Sequence, residues 1–306
     1  IKKLGLTALA GSMVATAASS AEMSASGSWS LSYTSEDDDA VNGQAFSMGD
    51  SVTFSASGEL DNGWTAGVSY ELDGGAFDDE KLTLDMGDMG FFQYSENTSG
   101  YGIDIAKNVV PSVDTPIYSS VGTDTAGYGV ARSAAETGNL GWKKAMDGGL
   151  TVSAEYARNT AAGGSDTSLG VTYTGVDNMT LAFGIADTAT GGTAQVESKT
   201  MGVKYATGAW TIGVQLTDVA TDGTTQDEDG THMGVTYNVN DDVSIGYSRQ
   251  ETDFSGTSSD EEHSGFQASY SMGSISFSRR VGKVDNAGGT AGASDEDKHI
   301  TMSVAF

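Results

Sequence analysis

Residues 210–217 read Trp-Thr-Ile-Gly-Val-Gln-Leu-Thr, with large apolar side chains at every second position and small or polar residues between them. Successive side chains of a β-strand point to opposite faces, so this pattern predicts a strand with one apolar and one polar face. Residues 231–239 and 298–306 repeat the pattern. The chain is therefore predicted to be all-β.

The alternating pattern recurs in 16 segments, which Gly, Asn and Asp turn residues separate. The predicted strands are 23–34, 46–59, 64–72, 81–85, 91–95, 140–145, 150–158, 167–174, 179–187, 196–206, 209–218, 231–239, 243–252, 263–271, 274–282 and 298–306. The connections between them alternate strictly between short and long. Tight turns are thus expected at one end of the structure and large loops at the other.

Transmembrane β-barrels have this arrangement, with short periplasmic turns and long external loops. In lipid, each unpaired backbone polar group costs on the order of several kcal/mol, and only a closed ring of strands pairs all of them. The apolar face then points to lipid, and at about 16 strands the interior is wide enough to hold water. We predict an antiparallel, 16-stranded transmembrane β-barrel that forms a single domain over residues 22–306.

The N-terminus has the layout of a secretory signal peptide. Lys2 and Lys3 precede an apolar stretch over residues 4–18, and the small residues at 19–21 follow it. We expect residues 1–21 to be a signal peptide that is cleaved after Ala21. The alternative is an N-terminal helix of the mature fold.

Composition excludes several classes of protein. The 42 acidic and 15 basic residues give a formal net charge of −27. Nucleic acid is an unsuitable partner, because phosphate binding needs clustered Lys and Arg. The chain has no cysteine, so neither a disulfide scaffold nor a thiolate metal site is available.

Residues 96–137 lack a clear strand pattern and contain both prolines of the chain, Pro111 and Pro116. Proline cannot donate a hydrogen bond to a strand ladder, and a long segment without secondary structure in a compact domain is usually functional or disordered. We predict that this segment folds into the barrel and narrows it. The alternative is a mobile surface loop.

The chain resembles the general porins of Rhodobacter-type alphaproteobacteria. The resemblance rests on the N-terminal signal, the 16 alternating segments, the length of the third long loop, and the final strand His-Ile-Thr-Met-Ser-Val-Ala-Phe at residues 299–306. It implies a homotrimer in the bacterial outer membrane, in contact with lipid and lipopolysaccharide, and passive diffusion of ions and small hydrophilic solutes. It also implies that the third loop is an inward-folded constriction and that Phe306 is part of a signal read by the barrel assembly machinery.

Porins select solutes by pore diameter and by rings of charge. In the family, acids on the inward loop face basic residues on the wall. The matching loop acids here are Asp104, Asp114 and Asp124, with Glu96 and Glu136 nearer the hinges. Some of these side chains could instead point outward or cap local turns.

Strand parity separates the basic residues into two groups. It places Lys143, Lys204 and Arg280 on the pore wall, whereas the short strand of Lys81 leaves its face open. The opposite parity places Lys199, Arg249 and Arg279 on the lipid side, near strand ends. Because acids outnumber bases, we predict a preference for cations.

Acidic clusters in the long loops could hold a structural Ca²⁺ or Mg²⁺ ion, because carboxylates suit hard divalent cations. The candidate ligands are Asp37, Asp38, Asp39, Asp227 and Asp229. Such ions could also bridge the protein to lipopolysaccharide. The alternative is a solvated acidic rim, and no other cofactor is expected.

Two other functions remain open at this stage, an outer-membrane hydrolase and a plugged or structural surface barrel. The three histidines, His232, His263 and His299, lie in no catalytic motif, and His263 is expected to be solvated. No phosphate-binding loop or dinucleotide fingerprint is present. We therefore expect a protein that is not an enzyme.

Overall fold

The strands close into one antiparallel barrel in which each strand pairs with its neighbours in the sequence, and the first strand pairs with the last. The computed structural model describes residues 22–36, 45–95, 100–107, 109–114, 138–159, 164–190, 194–222, 227–257 and 259–306. The predicted signal peptide at residues 1–21 lies outside the described residues. No helix in the described ranges is long and apolar enough to span a membrane.

The prediction of 16 strands is confirmed, one for one and in order. The strands are β1 (Glu22–Glu36), β2 (Ala45–Glu59), β3 (Thr65–Asp73), β4 (Ala76–Asp85), β5 (Phe91–Ser95), β6 (Asn139–Ala145), β7 (Leu150–Asn159), β8 (Gly164–Tyr173), β9 (Met179–Thr190), β10 (Ala194–Thr207), β11 (Trp210–Thr221), β12 (Glu228–Asn238), β13 (Val243–Phe254), β14 (Glu261–Met272), β15 (Ile275–Asp285) and β16 (Ser294–Ala305).

Several strands extend past their predicted bounds at the end with the larger connections. β9 continues to Thr190 rather than ending at Asp187, and β16 begins at Ser294 rather than Lys298. The outward-facing residues there are charged, for example Glu197 directly opposite Asp187. The apolar alternation therefore stops while the hydrogen-bonded ladder continues, which makes these strand ends invisible to a hydropathy pattern.

The connection between β3 and β4 also differs from its prediction. A long loop was expected over residues 73–80, but the two strands are joined by the turn Gly74-Gly75. Both glycines have positive φ, 56° and 86°. Two-residue hairpin turns favour such angles, which glycine adopts without steric cost.

The two faces of the barrel follow from the strand register, because residues directly opposite each other on antiparallel strands share a face. On β11, Ile212, Val214 and Leu216 are exposed, with Leu216 at 45%. The residues between them, Gly213, Gln215 and Thr217, are buried on the interior side. The apolar face thus points outward to lipid and the small or polar face points into the lumen.

The barrel closes through a continuous ladder between β1 and β16, which runs from Ser28 opposite Ala305 to Glu36 opposite Asp297. Two further hydrogen bonds extend it at the chain terminus. Gly27 N donates to Phe306 O at 2.9 Å, and Phe306 N donates to Gly27 O at 3.0 Å. The ring of Phe306 lies against Gly27, where an added β-carbon would stand 2.8 Å from the ring.

Adjacent residues of β16 provide a direct test of the two faces. We expect Met302→Lys, on the lipid side, to reduce the free energy of unfolding by about 2 kcal/mol, because a charge within the apolar band must leave water. Ser303→Lys, on the lumen side, is the matched control and should change it little. Denaturant unfolding from lipid vesicles measures both values. A larger loss of unfolding free energy for Ser303→Lys than for Met302→Lys would show that the lipid and lumen faces are assigned the wrong way round.

Candidate pore constriction

Residues 100–107 and 109–114, called here the lumen segment, lie against the inner wall of the barrel. The segment contains a short 3-10 turn, Gly102–Ala106. Wall side chains hold its backbone: Ser153 Oγ accepts a hydrogen bond from Gly102 N at 2.9 Å, and Ser168 Oγ accepts one from Ile103 N at 3.1 Å. The part of the predicted constriction loop that the structure describes is therefore folded into the lumen.

The far end of the lumen segment is held by one glutamine of β14. Gln267 Oε1 accepts hydrogen bonds from Val113 N at 3.1 Å and from Ser112 Oγ at 3.0 Å. The lumen segment therefore crosses the inner wall from β7 to β14. Side-chain oxygen atoms of the wall accept hydrogen bonds from its backbone near both ends and so fix its position in the pore.

Between these anchors the lumen segment packs apolar side chains against the wall. Tyr101, Ile103, Ala106, Val109 and Val110 are all buried, and Ile103 and Ala106 are fully so. They account for most of the large apolar side chains that the described structure buries, since the large apolar residues of the strands face outward. The hydrophobic core of this protein therefore lies between the lumen segment and the wall.

The wall beneath the segment is built from glycines that face the lumen on successive strands, Gly170, Gly184, Gly202, Gly213 and Gly234, called here the glycine row. Gly170 stands directly opposite Gly184, and Gly213 directly opposite Gly234. In the structure the glycine row is covered by the lumen segment.

Asp104, one of the predicted pore acids, lies within the segment with its side chain only 4% exposed. Its carboxylate accepts a hydrogen bond from Gly100 N at 2.7 Å and forms an ion pair with Lys107. Lys107 is the more exposed partner at 23%. Asp104 is thus bound to its own segment rather than presented to water.

Asp114 lies at the end of the described segment, where it is half-buried. It is close enough to His299 of β16 to interact with it electrostatically. Since His299 is on the lumen face, Asp114 points towards the wall of β16. The other three predicted loop acids, Glu96, Asp124 and Glu136, lie outside the described residues.

The predicted wall bases are brought to the lumen face. Lys143 shares that face with Gly141, which the ring of Tyr101 covers, and Arg280 stands opposite His299. Lys204 follows Gly202 by two residues on β10. The register also settles the face of Lys81, which stands opposite the buried lumen residue Ser95. Their part in selectivity stays a prediction.

Three of these bases have partners within the lumen. Arg280 pairs with Asp297 at 3.3 Å, and Lys81 pairs with Asp79 at 3.1 Å. Lys143 Nζ lies 4.9 Å from the centre of the Tyr101 ring and donates to Gly100 O at 3.4 Å. Lys143 therefore helps to hold the segment through a cation–π contact as well as lining the wall.

Burial raises the pKa of Tyr101 from 10.0 to about 12. Its phenol therefore stays neutral at any ordinary pH, and its ring remains available to Lys143.

The outward prediction holds for Lys199, Arg249 and Arg279. Lys199 lies 3.6 Å from Asp218, and Arg249 lies 2.7 Å from Glu262, so both are paired on the outer surface. Arg279 stands opposite Ala268 and Ile300, both of which face outward.

The candidate metal ligands are divided between described and undescribed parts of the chain. Asp37, Asp38 and Asp39 lie outside the described residues. Asp229 stands between Asp218 and Asp253 on the outer face. Within the described ranges, no three His or carboxylate side chains come together in a way that could hold a metal ion.

The expectation that His263 is solvated is wrong. His263 is fully buried on the lumen face of β14, where its Nε2 lies 2.8 Å from Oε1 of Glu261. Glu261 also accepts a hydrogen bond from Gly288 N at 2.5 Å. Both side chains face the lumen, because residues two apart on a strand share a face. Through the hydrogen bond from Gly288 N, the pair connects β14 to the turn between β15 and β16.

A closed 16-stranded barrel with an apolar outer face and a chain segment folded into its lumen defines a porin-class outer-membrane protein. The sequence profile of the Gram-negative porin family matches residues 5–289. The chain therefore belongs to the Gram-negative porin family. Its membership of this family and its barrel fold indicate a channel rather than an enzyme. No curated protein sequence matches the chain significantly.

Solved structures agree on the fold. The OmpT protein of Vibrio cholerae with loop L8 deleted has a TM-score of 0.72 and 15% identity, covering 94% of this chain and 99% of that one. An anion-selective porin from Comamonas acidovorans has a TM-score of 0.69 and 15% identity, covering 94% and 100%. A triple mutant of the Rhodopseudomonas blastica porin has a TM-score of 0.65 and 15% identity, covering 93% and 100%.

The placement of Asp104 leads to a test with two readouts. We expect the charge-neutral double variant Asp104→Asn/Lys107→Gln to leave the reversal potential under a salt gradient nearly unchanged, because the two charges that it removes cancel at a distance. The same variant should increase hydrogen exchange of residues 100–107, since Gly100 N loses a charged acceptor. A fall of more than about twofold in cation-to-anion permeability would show that Asp104 faces the solute after all.

Tyr101 makes stability depend on pH in the alkaline range. Its folded pKa of about 12 lies above the unfolded value near 10, so the unfolded chain releases this proton first. The contribution of the neutral Tyr101 phenol to the free energy of unfolding is complete below pH 10 and is lost as the pH rises towards 12. Comparing the unfolding free energies of the natural protein and Tyr101→Phe over this range isolates the effect. A constant difference between the two proteins would contradict the assignment.

Proposed function

We propose that this porin forms a water-filled channel for passive diffusion of ions and small hydrophilic solutes, and that the channel prefers cations. The observation that carries the proposal is the charge of the inner wall. The lumen face of the described strands carries more carboxylates than basic groups, and those carboxylates include Glu71, Asp73, Asp79, Asp85, Glu155, Asp166, Glu228, Glu261 and Asp297.

The charges differ in how strongly they meet a passing solute. Arg280 and Lys81 are each paired with a carboxylate, which cancels much of their field at a distance. Asp73 and Asp85 are exposed, and Glu71 is half-buried. An uncompensated acidic surface raises the local concentration of cations and lowers that of anions.

The fold itself leaves selectivity undetermined. The similar structure from Comamonas acidovorans is described as anion-selective, at 15% identity. The preference of the present chain therefore has to come from its own side chains, and the balance of lumen charge is the property that supports cations.

We propose in addition that three copies assemble, as one OmpT structure of Vibrio cholerae is described in a trimer form. The outer face of β1 and β2, with exposed Leu31, Phe46 and Met48, offers apolar area for such contacts. The exposed acids Asp227 and Asp229 suit divalent cations that bridge to lipopolysaccharide. Phe306, exposed at the barrel seam, remains the proposed signal for the assembly machinery.

The reversal potential of the refolded protein in a planar bilayer tests the preference directly. Under a KCl gradient we expect stepwise conductance with cation permeability above that of the anion. The double variant Glu71→Lys/Asp73→Lys should reduce the ratio, because it reverses two lumen charges. Asp218→Lys, on the outer face, is the matched control and should leave the ratio unchanged.

Each other outcome has a definite meaning. Anion selectivity of the natural protein would show that the lumen bases outweigh the acids, which would overturn the preference. A folded barrel without conductance would favour the plugged, structural alternative.

A further inference from the structure

Glycine is uncommon inside strands, because it costs entropy and provides no side chain to pack. The glycine row nevertheless occupies interior positions of β8, β9, β10, β11 and β12, all on the lumen face. Two cross-strand pairs in this row are glycine opposite glycine. Such a concentration requires a physical reason at that place on the wall.

We propose that the glycine row is the seat of the lumen segment, and that its members are positioning residues which set the width of the pore. The inference rests on the proposed channel function. A β-carbon added at Gly184 would stand 2.6 Å from Cγ1 of Ile103, and one at Gly234 would stand 2.6 Å from Cγ1 of Val110. Carbon atoms pack at about 3.5–4.0 Å, so neither fits without movement.

The other members of the row meet the segment just as closely. At Gly213 the added carbon would stand 2.5 Å from the carbonyl oxygen of Val109. At Gly202 it would overlap Cγ2 of Val109, and at Gly170 it would overlap the carbonyl oxygen of Gly102. Backbone atoms cannot rotate away and β-branched side chains are stiff at χ1, so relief has to come mainly from displacement of the segment.

The direction of this displacement is set by the geometry of the barrel. The strands behind the glycine row are held by ladders on both sides, whereas the segment faces the lumen on its other side. A larger residue in the row therefore pushes the segment away from the wall and into the passage. The glycine row therefore lets the lumen segment lie close to the wall, so that more of the pore cross-section stays open to solutes.

An added carbon at Gly141 of β6 would also stand 2.5 Å from the Tyr101 ring, whereas lumen-facing glycines away from the lumen segment do not meet it. An added carbon at Gly67 of β3 would meet Thr83 Oγ1 at 2.6 Å, and one at Gly49 of β2 would meet Ser30 Oγ at 2.9 Å. Both neighbours are ends of side chains that can rotate. Neither glycine contacts the lumen segment, so they are suitable controls.

The test uses Gly202 and Val109, where the overlap involves one removable methyl group and the next contact, with the carbonyl oxygen of Val214, is at 3.0 Å. We expect Gly202→Ala to reduce single-channel conductance by roughly 1.3-fold or more, because pore diameter governs passage. Val109→Ala removes Cγ2, so the double variant Gly202→Ala/Val109→Ala should recover most of the natural conductance. Val109→Ala alone is the reference for the double variant, and the control Gly67→Ala should stay close to the natural value.

The alternative results are equally informative. Folding of Gly202→Ala is checked by its heat-modifiable electrophoretic mobility. If the folded variant has unchanged conductance, the proposed role of the glycine row is wrong. Reduced conductance without recovery in the double variant would overturn it too, because the loss would then not arise from contact with Val109. If Gly202→Ala fails to fold, recovery of folding in the double variant supports the proposal and continued failure contradicts it.

This test is independent of the channel proposal, because failure of the two proposals looks different. A folded natural protein that does not conduct would refute the channel itself. If the natural protein conducts and the folded Gly202→Ala variant conducts equally well, only the proposal about the glycine row is refuted.

Discussion

The structure depends on the pairing of every backbone amide and carbonyl at membrane depth. Lipid provides no hydrogen-bonding partner, so a strand edge there would cost several kcal/mol for each unpaired group. The ladder between β1 and β16, extended by the mutual bonds of Gly27 and Phe306, removes the last edges of the sheet. Once the ring is closed at 16 strands, its interior is too wide for wall side chains to fill.

This constraint reverses the usual location of the core. Most large apolar side chains of the wall face lipid, and the lumen face carries mainly glycine, hydroxyl and charged groups, apart from a few valines such as Val219 and Val284. The buried apolar contacts are therefore made by the lumen segment, through Tyr101, Ile103 and Val109. A single stretch of chain thus both narrows the passage and provides the interior packing.

Strand number, strand order and the lumen placement of Lys143, Lys204 and Arg280 were predictable, since a period of two assigns each residue of a strand to one face. The outer strand ends were not, because the outward face there is charged and the apolar alternation stops before the ladder ends. The bonds of Asp104 to Gly100 and Lys107 were not predictable, since its sequence position says nothing of them. The role of the glycine row was not predictable either, because it depends on where the lumen segment runs.

The packing of the segment also bears on how rigid the constriction is under a membrane potential. Moving one elementary charge across the whole membrane is worth about 2.3 kcal/mol per 100 mV. Asp104 and Lys107 form an ion pair, so the field exerts little net force on that part of the segment. Burying one large apolar side chain is worth about 1.5–3 kcal/mol, and Tyr101, Ile103, Val109 and Val110 are all buried. The packing therefore outweighs the field, which argues for a constriction that stays on the wall at physiological voltage.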